Sequence, residues 1–119
     1  MLHGFFVGWP NPPSPATHLR ILKGSAHVVL ALEEGRVVGF VTALSDGVFY
    51  AYLSLLEVLP SHQGRGIGTA LMQQVLEQLR QMYAVDVLCD PEVRPFYERV
   101  GMQPAGGMVV RNYARQSGE

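Results

Sequence analysis

The sequence predicts an α/β fold, an α+β mixed sheet in which an antiparallel meander precedes one parallel crossover. Three observations point there. β-rich segments separated by turn dipeptides fill residues 26–58. A glycine-rich loop at 63–68 then runs without a break into an amphipathic helical segment. A short apolar stretch, 84–89, follows that helix, and a strand–helix–strand unit normally makes a parallel pair.

Taken in order, residues 2–9 hold Leu2, Phe5, Phe6, Val7 and Trp9, and then Pro10, Pro12 and Pro13 break any regular element. Ser14-Pro15 reads as an N-cap followed by proline at the first helical position. A short helix then reaches Lys23, with Gly24 as its stop. Residues 26–33 and 36–45 form a hairpin around Glu34-Gly35, and Asp46-Gly47 signals a second turn into a third strand, 48–58. That third strand is apolar on both faces, as a covered central strand would be. From Gly66 to Met82, Ile67, Leu71, Val75, Leu79 and Met82 recur at helical spacing opposite a glutamine-rich face. Asp90-Pro91 caps a second helix ending at Val100-Gly101. Residues 102–114 are expected to add a final strand or hairpin around Gly106-Gly107, and residues 116–119 to fray.

A chain of 119 residues is expected to be a single domain spanning 1–119. The formal net charge is −1, which argues against a nucleic-acid partner bound through a basic surface. No apolar run approaches the roughly 20 residues that cross a bilayer, so no membrane partner is expected. The N-terminus lacks the charged and apolar regions of a signal peptide. Cys89 is the single cysteine, so no internal disulfide can form, and a cytoplasmic location is expected.

The chemistry centres on residues 58–71. A strand that stops at Pro60, a tight loop and a helix start place free backbone N–H groups at a helix N-terminus, where the dipole also favours anions. A phosphate-bearing ligand is the expectation. A P-loop would need lysine after the last glycine, and none follows. A Gly-x-Gly-x-x-Gly dinucleotide fingerprint fails at Thr69 when counted from Gly64, and at Leu71 when counted from Gly66.

Gln63-Gly64-Arg65-Gly66-Ile67-Gly68 instead resembles the Gln/Arg-x-x-Gly-x-Gly/Ala signature of the GNAT superfamily of N-acetyltransferases. Val58 and Pro60 before it, and Ala70-Leu71-Met72 after it, agree. A second stretch, Leu88 to Met102, is similar to that family's second cofactor helix with its Phe-Tyr-x-x-x-Gly-Phe ending. Here it reads Phe96-Tyr97-Glu98-Arg99-Val100-Gly101-Met102, with Met102 in place of phenylalanine, and it looks nearest to arylalkylamine N-acetyltransferases. The resemblance covers roughly residues 27–113.

The resemblance implies a GNAT-like acyl-CoA N-acyltransferase fold with acetyl-CoA as co-substrate and no metal. It implies that the N–H groups across Gln63, Gly64, Arg65, Gly66, Gly68 and Thr69 hold the pyrophosphate, with the Arg65 guanidinium adding a charge-assisted contact. It implies that Leu56 and Val58 pair with the pantetheine arm, and that Tyr97 protonates the departing thiolate. The plain alternative for Tyr97 is a helix tyrosine packed at the sheet edge. The family's usual base positions fall near Tyr52 and Ser54, neither a good base near neutral pH. Glu57 is the only carboxylate of its strand and a candidate base. It lies between the two pantetheine-pairing residues, however, and a salt-bridged strand glutamate is the competing reading. A base acting through water held by Ser54 or Tyr52 is therefore expected. Cys89 has no nearby His–carboxylate pattern, so direct transfer is favoured over a covalent acetyl-enzyme.

The acceptor is expected to be a primary amine of a small molecule, with Phe5, Phe6, Trp9 and Tyr50 as candidate pocket residues. Family members usually open with a strand and two helices before the hairpin. Only residues 1–25 precede it here, so this N-terminal region is read as shortened, with 2–9 as a candidate substitute for the first strand. A homodimer that covers the resulting edge, or the Phe5/Phe6/Trp9 surface, is a further expectation. The competing function is a non-catalytic acyl-CoA-binding sensor or subunit.

Overall fold

The structure, a computed structural model, describes residues 2–119. Helix α1 spans Pro15–Gly24, and the Ser14 side chain caps it by accepting from the Thr17 N–H at 3.1 Å. Three strands follow, β1 (His27–Glu33), β2 (Arg36–Ser45) and β3 (Tyr50–Val58). Helix α2 (Ile67–Gln78) crosses to β4 (Ala84–Asp86), and a short helix α3 (Arg94–Arg99) follows. The sheet order is β1-β2-β3-β4, antiparallel except for β3 and β4, which are parallel.

The turns follow from local chemistry. Glu34 and Gly35 both take positive φ, 52° and 76°, the pair of left-handed residues a two-residue hairpin needs. The β2–β3 connection is wider than Asp46-Gly47 alone. The Asp46 carboxylate accepts from the N–H groups of Val48, Phe49 and Tyr50, so β3 begins at Tyr50 and not at Val48.

The sheet carries a layer on each face. On one, Val41 and Ala43 of β2 and Ala51 and Leu53 of β3 meet Leu71, Met72 and Val75 of α2, and Leu79 just beyond it. Gly39 lets α2 approach. A Cβ there would lie 3.2 Å from Leu71 Cδ1 and 3.3 Å from Ile67 Cγ2. On the other face, Phe40 receives the rings of Phe5, Phe6 and His18, all within 6.4 Å of it. Phe5 and Phe6 therefore belong to the core layer and not to a surface pocket. His18 is buried with neither ring nitrogen hydrogen-bonded.

Several expectations change. Residues 2–9 form no strand, and among the described residues none precedes α1. Gly4, Phe6 and Gly8 all have positive φ, which no extended segment tolerates at alternate positions. Helix α2 stops at Gln78, short of Met82. Leu79 and Met82 still pack on the core, but through turns that deliver the Tyr83 and Ala84 N–H groups to the Phe49 carbonyl. Strand β4 ends at Asp86, not Cys89. No final strand forms across 102–114. Gly107 lies against the Leu88 side chain with no room for a Cβ, and beyond it Met108 and Val110 are exposed. The last residues are tied down rather than frayed. Gln116 Oε1 accepts from the Asn11 N–H, and Glu119 Oε1 from the Thr17 hydroxyl. No helix among the described residues is long and apolar enough to cross a membrane.

Candidate active site

The loop between β3 and α2 is a string of unused donors. A turn at Pro60–His62 and left-handed Gly64 and Gly66 (φ 79° and 81°) bring the chain into α2 without any side-chain cap. Among the described residues, no acceptor takes the backbone N–H of Gly64, Arg65, Gly66, Ile67, Gly68 or Thr69. These donors border an open cleft of about 330 Å³ lined by Val58, His62, Gln63, Gly64, Gly66, Gly68, Thr69, Phe96 and Arg99, among others. Both left-handed glycines have open space where a Cβ would stand. The donor set and the space fit a diphosphate.

The loop is braced from β1. Glu33 Oε1 lies 3.0 Å from His62 Nε2, and His62 Nδ1 lies 2.8 Å from the Ser61 hydroxyl. The hydrogen bond and charge of His62 hold the Glu33 carboxyl below its usual value. Arg65 turns the same way. Its guanidinium is 4.0 Å from Glu33 Oε2 and donates to the Ser61 carbonyl at 3.3 Å, and it does not line the cleft. The Gln63 amide likewise folds back, donating to the Val58 carbonyl at 3.1 Å.

Strands β3 and β4 pair only from Tyr50↔Ala84 to Tyr52↔Asp86 and then part. Past that point the Leu88 N–H donates to the Tyr52 hydroxyl instead of to a strand carbonyl. The remainder of β3 thus has an open edge. The Leu59 N–H bonds the Val38 carbonyl on the β2 side, so by alternation Glu57 also addresses β2 while Leu56 and Val58 address the opening. The Leu56 backbone groups and the Val58 N–H are left open toward the glycine loop, while the Val58 carbonyl is taken by the Gln63 amide. Between Thr42 and Ala43 the β2–β3 register shifts, leaving Ser54 as the extra residue of a bulge.

Tyr97 is half-buried on α3, edge-on to Phe96 at 5.0 Å. It lines a larger, open cleft of about 800 Å³ with Tyr50, Tyr52, Asp86, Cys89 and Glu98, to which residues 100–108 also contribute. Burial, then Cys89 and Tyr52, push its phenol above the usual tyrosine value. Tyr97, Tyr52 and Cys89 are therefore brought together. Ser54 and Glu57 are not part of this cleft. Ser54 Oγ lies 2.8 Å from Thr42 Oγ1, inside the sheet. Glu57 Oε1 accepts the Phe6 N–H at 2.8 Å on the α1 face, and burial raises its carboxyl despite that bond.

Four lining residues of the loop cleft escaped the sequence reading: His62 of the loop itself, Ile67 at the start of α2, and two from α3. Phe96 and Arg99 of α3 border the loop cleft, with the Phe96 ring 3.5 Å from where a Gly68 Cβ would stand. Their spacing, three apart on one helix face, was the available signal.

The Acetyltransferase (GNAT) family profile matches residues 2–102. The chain belongs to this family. A crystal structure of a candidate acetyltransferase from Deinococcus radiodurans R1 shares 50% identity with this GNAT chain. It superposes with a TM-score of 0.95, over 98% of this chain and 82% of that one. The uncharacterized N-acetyltransferase ycf52 of Porphyra purpurea is 32% identical over 101 residues, which are 80% of this chain. The chain spans 58% of that relative's length. The chloroplastic serotonin N-acetyltransferase 2 of Oryza sativa is 38% identical over 69 residues, 56% of this chain and 34% of that one. GNAT proteins in general use acetyl-CoA, and the donor-lined cleft and open β3 edge are compatible with it.

Proposed function

We propose that this GNAT chain is an N-acetyltransferase that moves an acetyl group from acetyl-CoA to a primary amine of a small molecule by direct transfer. The observation that carries it is Tyr97. Its phenol remains protonated through neutral pH and sits in a cleft beside the open edge of β3. Gly64–Thr69 would receive the pyrophosphate, and Leu56 and Val58 would pair with the pantetheine arm. The amine nitrogen bonds to the thioester carbonyl carbon. The acceptor's ammonium has first given one proton to water; as the C–S bond breaks, the Tyr97 hydroxyl gives its proton to the sulfur, the nitrogen releases its second proton to water, and the phenolate takes one back from solvent. Tyr52, which lines the same cleft, is the better placed of the two hydroxyls to orient that water. Asp86 and Glu98 in the lining suit a cationic acceptor. Similarity to a serotonin N-acetyltransferase favours an arylalkylamine among small amines. A cytoplasmic setting and a homodimer formed over the outer edge of β1 complete the reading.

The test is CoA-SH release across arylalkylamines, polyamines, amino sugars and amino acids, with Tyr97→Phe beside wild type. Tyr97→Phe is expected to lower kcat by about 100-fold while acetyl-CoA affinity stays within about threefold. Unchanged turnover would dismiss the acid role. Tight CoA binding without turnover on any amine would favour the non-catalytic sensor or subunit.

A further inference from the structure

The glycine loop is read above as the seat of acetyl-CoA's phosphates, and the following rests on that reading. We propose that the guanidinium serving those phosphates is Arg99 of α3, not the motif's own Arg65. Arg65 is already engaged, 4.0 Å from the Glu33 carboxylate and bonded to the Ser61 carbonyl, and it stands outside the cleft lining. Glu33 also holds His62, so the Arg65 charge faces a carboxylate that belongs to the brace of the loop.

Arg99 has the opposite surroundings. It lines the cleft together with Gly64, Gly66, Gly68 and Thr69. Among the described residues no carboxylate pairs with it and no acceptor takes its N–H groups. Phe96 lies one helical turn earlier on the same face and seats its ring against Gly68, which presses this face of α3 onto the loop. A phosphate resting on the free N–H groups of the loop therefore meets an uncommitted guanidinium in the same cleft, with the planar fork suited to two phosphate oxygens. The chemistry is the same whether the oxygens belong to the pyrophosphate or to the 3′-phosphate of the ribose.

Calorimetric titration of the full chain with CoA and with 3′-dephospho-CoA tests this, using wild type, Arg99→Gln and Arg65→Gln. Arg99 is exposed and makes no internal bond, so its variant keeps the fold. Arg99→Gln is expected to weaken CoA binding about tenfold or more. Arg65→Gln is expected to change it by less than about threefold. If the Arg99→Gln loss persists with 3′-dephospho-CoA, the partner is the pyrophosphate. If it disappears, the partner is the 3′-phosphate. Each of these supports the assignment. Arg99→Gln binding CoA as wild type does, or Arg65→Gln losing as much as Arg99→Gln, overturns it. Wild type that binds no CoA sinks the acetyl-CoA reading itself, which is a separate result.

Discussion

His18 is the most exacting residue of the chain. It is buried among Phe5, Phe6 and Phe40 with both ring nitrogens unpartnered, and burial pushes its pKa below the ordinary histidine value of 6.5. A depressed histidine leaves the native state binding fewer protons than the unfolded chain. Its stabilising share is present in full above pH 6.5 and is lost as pH falls below that value toward the lower native one. Glu57 on the same face has the opposite sign. Its raised carboxyl favours the fold as pH falls through its native value, so a variant is needed to isolate His18. His18→Phe is expected to match or exceed wild-type stability near pH 8, because two buried unpaired nitrogens are replaced by ring carbons. It should also flatten the fall in urea midpoint expected of wild type as pH drops below 6.5. An equally steep fall in the variant would remove His18 as the cause. The sequence hid all of this. Nothing in Ser14–Gly24 marks His18 as interior, because the partners that enclose it come from residues 5, 6 and 40.

At the scale of elements, α2 on β2 depends on the missing side chain of Gly39. A Cβ there would stand 3.2 Å from both the Glu57 carbonyl oxygen and Leu71 Cδ1. One of those contacts is backbone and cannot rotate away. Gly39→Ala is expected to lower stability by about 1–3 kcal/mol, and larger β-branched residues by more. Because the strain falls on β3 at Glu57, between Leu56 and Val58, CoA affinity should fall with it. Paired denaturation and CoA titration check both, and a Gly39→Ala variant as stable as wild type would show that α2 can slide. The elements themselves were largely legible. The periodicities of β1, β2 and α2 and the Glu34-Gly35 turn lie in local spacing, which a single sequence carries. The errors fell where long-range geometry decides. Strand β4 ends at Asp86, where its pairing with β3 stops, and residues 102–112 find no strand partner in the sheet.

For the whole molecule, the notable surface is the outer edge of β1. It is the terminal strand of the sheet, and Leu30 and Leu32 on it are 42% and 62% exposed. Unpaired strand groups beside exposed leucines favour pairing with another chain. The proposed homodimer predicts a two-chain particle in sedimentation equilibrium that Leu32→Lys shifts to one chain. A wild type that is monomeric at all concentrations would end the proposal. The alternative Phe5/Phe6/Trp9 surface is weakened, since Phe6 is buried beneath it. At this scale the glycine motif and the Phe96-Tyr97 motif were enough to read the family. The direction of their side chains was not legible. Arg65 and Gln63 carry the expected letters, yet both fold back onto protein atoms, a choice made by Glu33 and by the Val58 carbonyl.

The grip of Glu33 on both His62 and Arg65 has one more consequence. It ties the glycine loop to the last residue of β1, so the loop's shape is supported by an acid on a strand outside it. The same carboxylate sets how much positive charge the loop can offer. Glu33→Gln would remove the negative charge that faces both Arg65 and His62, while the bonds of Arg65 and His62 to Ser61 would remain. On the proposed reading of this loop as a phosphate seat, that change would raise its net positive charge and loosen its brace together, through a residue outside it.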